Sequence, residues 1–158
     1  MVATTTVHKL QAHMAIQTVI HQPNDAATAQ LVDLGQPQGA SAKLLPIANY
    51  REFMAQVTAS LLAGSGVTAF SIYAATNAAG TGSPTAVVTH AVGTAPDAEG
   101  DSLNLECNVE QIREVLPTAT HVGVWLDCNH NDDEAAVTFI RCNPFHTAGA
   151  LTADYTAA

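Results

Sequence analysis

The sequence predicts a mainly β protein, β-rich α+β in class, with an antiparallel sandwich or barrel-like core, one or two short helices and an extended N-terminal arm. Three observations carry that expectation. Alanine, threonine and valine dominate, and Gly and Pro recur at short intervals, a texture that favours short strands over long helices. Several segments alternate apolar and polar residues with a period of two. The chain has 158 residues, 47% of them apolar, which suits one domain with a real core.

From His8 to His21, Leu10, Ala12, Met14 and Ile16 alternate with Lys9, Gln11, His13 and Gln17, so residues 1–21 are expected to form an N-terminal strand or arm. Residues 22–146 form the domain and 147–158 a tail. Gln22 to Asp25 is a turn, and Leu31 to Ala42 a short strand followed by a loop rich in breakers. Asn49-Tyr-Arg-Glu52 has the form of a capping box, and Tyr50, Phe53, Met54, Val57 and Leu61 keep helical spacing as far as Gly64, which predicts a helix. Phe53, Ala55, Val57, Ala59 and Leu61 satisfy a period of two as well. Val67 to Ala75 and Thr85 to Val92 read as antiparallel neighbours, and Ser102 to Cys107 as a half-buried strand. A second capping box, Asn108-Val-Glu-Gln111, predicts a short helix over 109–116, stopped by Pro117.

The last unit is expected to be a hairpin. Thr120 to Asp127 and Ala135 to Cys142 flank a polar segment, and pairing Cys128 with Glu134 sets Val122 opposite Ile140, Trp125 opposite Val137 and Gly123 opposite Phe139. Both faces of such a ribbon are apolar, so one would cover the core and the other a neighbouring subunit. Leu10, Met14, Ile16, Trp125, Val137, Phe139 and Tyr155 are the interface residues this predicts.

Charge narrows the function. Fourteen acids against 5 bases give a formal charge of -9, which repels a phosphate backbone and leaves no polybasic patch for an anionic membrane. The first residues show no basic segment followed by an apolar core, so no secretory signal is expected, and no apolar stretch is long enough to cross a bilayer. Cys107, Cys128 and Cys142 are odd in number and lack a CxxC pair, which fits reduced thiols.

Four constellations are candidates for chemistry. Asp127 to Asp133 offers alternate oxygen ligands, but an EF-hand requires Gly where Asp132 stands and Glu where Thr138 stands, so a solvated turn is the stronger reading. Cys128, His130, Cys142 and His146 have the composition of a zinc site, yet the hairpin register separates the two pairs by roughly 20 Å. Cys107, His121 and Asp101 could form a nucleophilic triad only if the fold brought them together. Asp97, Glu99 and Asp101 read as a solvated acidic loop. The seven histidines are scattered, and GxSxG, Walker and GxGxxG motifs are missing. No catalytic residue, metal or cofactor is expected.

The Ala/Thr/Val/Gly texture, the Met1 to His21 arm, the segment Glu99-Gly-Asp-Ser-Leu-Asn-Leu-Glu106, the expected hairpin of His121 to Leu126 with Ala136 to Arg141, and the Thr147 to Asp154 tail together resemble structural proteins of tailed-bacteriophage virions, especially capsid decoration or cement proteins. The resemblance implies a non-enzymatic subunit, made in a host cytoplasm and carried on the virion. Its partners would be the major capsid protein, other virion subunits and copies of itself. Three alternatives stand beside it: a head-completion or tail subunit, a small metal- or thiol-dependent enzyme using the 127–133 turn, and, ranked last because aromatics are only 5% of the chain, a free-standing carbohydrate-binding or adhesive β-sandwich.

Overall fold

The computed structural model describes residues 14–21, 30–31, 44–61, 63–64, 66–90, 96–128, 130 and 132–143. In chain order these form β1 (Met14–His21), β2 (Gln30–Leu31), β3 (Leu45–Pro46), β4 (Glu52–Leu61), β5 (Val67–Ala75), β6 (Thr85–Thr89), β7 (Ser102–Asn108), α1 (Val109–Val115), β8 (His121–Cys128) and β9 (Glu134–Cys142). The strands make two antiparallel sheets, one ordered β1-β9-β4-β7, the other β2-β8-β5-β6 with β3 also on β8. The mainly β, sandwich-like class expected of the sequence is the class observed.

The two sheets bury one shared core between them. From the four-stranded sheet come Phe53, Ala55, Val57, Leu105, Cys107, Val137 and Phe139; from the other come Val67, Phe70, Ile72, Ala74, Val122, Val124 and Leu126. Within each strand the residues repeat every second position, as a strand with one face inward requires, except for the step from Val67 to Phe70, where a bulge interrupts β5. Helix α1 packs beside β6 and β7 and adds Val109 and Ile112. Its expected cap is present: Asn108 Oδ1 accepts from the Gln111 N–H at 2.8 Å, and Gln111 Oε1 accepts from the Asn108 N–H at 3.0 Å.

The helix expected over 49–64 is instead β4. Phe53, Ala55, Val57 and Ala59 are buried while Met54, Gln56 and Thr58 are half-buried, so the period-two pattern prevails over the helical one. Asn49 has φ +72°, in the left-handed region, where an N-cap requires an extended backbone. The physical reason is tertiary. β4 is hydrogen-bonded to β9 on one side and β7 on the other, and these ladders with a buried face outweigh the helix propensity of its alanines, which is high but amounts to only tenths of a kcal/mol per residue over β-formers.

The expected hairpin is also absent. β8 and β9 follow one another in sequence but lie in different sheets, β8 between β5 and the β2/β3 edge, β9 between β1 and β4. Their connection is an arch across the core. Val137 and Phe139, expected at a subunit interface, are both 0% exposed inside the sandwich, because an arch turns one face of each strand towards the other sheet. Gly123 does not face Phe139 either. A Cβ at this position would collide with the Leu44 side chain, which is buried over the glycine on the outer side of the sheet.

β1 pairs with β9 in continuous antiparallel register from Met14↔Cys142 to His21↔Ala135, so this part of the N-terminal segment is an edge of the chain's own sheet. Leu10, Tyr155 and the 147–158 tail lie outside the described residues.

Candidate functional site

The 127–133 turn is built around one buried carboxylate. Asp133 is 0% exposed, its Oδ1 accepts from the Ala63 N–H at 2.7 Å and the Gly64 N–H at 2.9 Å, and its Oδ2 accepts from the His130 N–H at 3.1 Å. It thus ties the β4–β5 connection to the β8–β9 arch, satisfying backbone donors that neither segment satisfies in a ladder. Asp127 Oδ2 accepts from Thr68 Oγ1 at 2.9 Å, at the bulge where β5 slips relative to β8. Asp132 is exposed and lies 3.7 Å from His130 Nδ1. The oxygens of this turn therefore do not converge on a single point.

The thiols are separated in the same way. Cys128 ends β8, and Cys142 ends β9 at the opposite end of the sandwich, eight residue steps beyond Glu134 and about 26 Å away at strand rise. Cys107 lies inward on β7, Asp101 precedes that strand, and His121 begins β8 in the other sheet. The candidate zinc quartet and the Cys107–His121–Asp101 triad are thus not brought together, and His146 lies outside the described residues. Among the described residues no group of three or more His, Cys, Asp or Glu could hold a metal ion.

Burial pushes the Cys107 thiol up to about 12. Burial does the same to Cys128, also to about 12, with Asp133 and Asp127 adding to it, and the Cys142 thiol is raised by burial, then Glu52 and Glu106. A neutral thiol is a poor nucleophile. At about pH 8 an alkylating reagent is expected to reach the half-buried Cys142 first, and Cys107 and Cys128 only as fast as the chain opens. Peptide mapping of labelled protein checks this, and prompt native labelling of Cys107 would contradict it. The linkage has a definite sign: below the ordinary value of 9.0 both folded and unfolded thiols are protonated, so their contribution is complete there. Between 9.0 and about 12 only the unfolded chain loses protons, and stability falls as pH rises through that window.

Charge is unevenly placed. Hydrogen bonds between Ala59 and the 97–101 loop, and the pairing of Leu61 with Glu134, set Asp97, Glu99, Asp101, Asp127, Asp132, Asp133 and Glu134 at one end of the sandwich. Arg51, Arg113 and Arg141, the described arginines, lie towards the other end or on α1. Arg141 turns inward there, its guanidinium 4.6 Å from the Tyr50 ring centroid and donating to the Pro46 carbonyl at 3.4 Å. Raising ionic strength from about 0.01 M to 0.15 M shortens the screening length from about 30 Å to 8 Å. That change is expected to raise Tm by roughly 3 °C, about 1 kcal/mol; a thermal scan showing a flat or falling Tm would contradict this placement.

Two surfaces remain. On the outer side of the five-stranded sheet, Trp125 shares its face with Gly123 and Asp127, as its spacing predicts, and its ring lies 5.0 Å from that of Tyr73. The outer side of the four-stranded sheet carries cross-strand rows Ala136–Thr58–Ser102, Thr138–Gln56–Asn104 and Ile140–Met54–Glu106. Thr58 and Ser102 hydroxyls meet at 2.8 Å. Glu106 is the sole charge in those rows. At the end of this face an open depression of about 460 Å³ is lined by Glu52, Phe53, Met54, Glu106, Cys107, Asn108, Gln111 and Cys142. This neutral face was concealed in the sequence by the helical reading of β4; the alternation of Met54, Gln56 and Thr58 was the signal that could have shown it.

No protein-family model matches the chain. No curated protein matches it. Among solved structures, the K2 cleaved adhesin domain of Lys-gingipain superposes with a TM-score of 0.38 at 11% sequence identity, covering 84% of this chain and 89% of that one. That likeness is too slight to carry an argument about fold or function.

Proposed function

We propose that the chain is a non-enzymatic structural subunit of a tailed-bacteriophage virion, one that binds the capsid shell and stabilises it as a decoration protein. The observation that carries this reading is the neutral outer face of the four-stranded sheet. Its rows of hydroxyl, amide and apolar side chains around Gln56 and Thr138 can be covered by another subunit at little desolvation cost, because almost no charge has to leave water. Trp125 on the other sheet supplies an aromatic anchor of the kind that dominates interfaces. The partners in this reading are the major capsid protein, other virion subunits and further copies of the chain. Nucleic acid and membrane are not among them, given a charge of -9.

The residues on which an enzymatic reading would draw have structural employment. Asp133 holds backbone N–H groups, and Cys128 is buried with its thiol protonated. This favours the structural reading over a thiol- or metal-dependent enzyme.

The test is to band particles from cells producing the chain on a density gradient, detect it by mass spectrometry, and locate it by cryo-electron microscopy. The expected result is co-migration with full particles and density on the capsid surface. Density at the portal or tail would make it a head-completion or tail subunit, and confinement to particle-free fractions would overturn the proposal. Gln56→Glu, which places a charge in the middle of the neutral face, is expected to weaken attachment about tenfold, ~1.4 kcal/mol, while leaving Tm nearly unchanged.

A further inference from the structure

We draw no further inference here: the strongest candidate, the half-exposed Tyr73–Trp125 pair on the outer face of the five-stranded sheet, is an apolar patch and nothing in the structure shows what covers it.

Discussion

Phe139→Ala is expected to destabilise the fold by about 4 kcal/mol and to lower Tm by roughly 12 °C. Phe139 is 0% exposed, its ring stacks 6.3 Å from that of Phe53 at 27°, and its register partner on β4 is the small Ala55. The ring occupies the space that Ala55 leaves, so truncation removes both its transfer free energy and its dispersion contacts, and the rigid sheets on either side cannot close the gap. Chemical denaturation measures the loss. A cost under about 1 kcal/mol would mean that the side chain is not in the core. Under the proposed function the same substitution separates the core from the proposed interface: Phe139→Ala should reduce particle attachment only in proportion to the folded protein lost, whereas Gln56→Glu should reduce it with the fold intact.

Asp133→Ala should cost a comparable amount, about 4 kcal/mol, for a different reason. Three backbone N–H groups, of Ala63, Gly64 and His130, lose a charged acceptor in a place where their replacement partner must be a water admitted to a buried site. Individual bonds to a charged group contribute about 1.5–3 kcal/mol, and three sharing one carboxylate contribute less than their sum. Asp133→Asn keeps an oxygen for Ala63 and Gly64 and turns an amide towards His130, so about half the loss is expected. Faster amide exchange at Ala63 and Gly64 in the alanine variant would localise the effect to the clamp. If calcium instead raised the wild-type Tm and Asp133→Ala abolished that rise, the carboxylate would be a cation ligand, and its structural role would be secondary.

Both predictions concern the passage from β8 to β9, where local pattern and tertiary arrangement part company. Strand by strand the pattern is clear: Val122, Val124 and Leu126 on β8, and Ala135, Val137 and Phe139 on β9, repeat every second residue and are buried accordingly. A five-residue polar connection is compatible with either a hairpin or an arch, because both leave each strand one inward face. The choice is made by partners distant in sequence, β5 for β8 and β4 for β9. Gly123 shows the same limit. The sequence says that this position accommodates something close, but only the fold shows that it is Leu44, from a segment almost eighty residues earlier. For β4 two periodicities overlapped, and the alanines at 55 and 59, good helix formers in isolation, are here the small inward residues of a central strand.

By itself the sequence determined the mainly β class, the strand Val67–Ala75, the strand expected over Ser102 to Cys107 and found at Ser102–Asn108, and the capped helix expected over 109–116 and found at Val109–Val115, since side-chain alternation and capping chemistry act within a few residues. It also determined the formal charge of -9. The tertiary structure alone decided which sheet each strand joins, that Val137 and Phe139 face the core, and that Asp133 clamps two loops. Those outcomes depend on long-range pairing and burial, in which each strand's free energy is set by neighbours that its own residues do not specify.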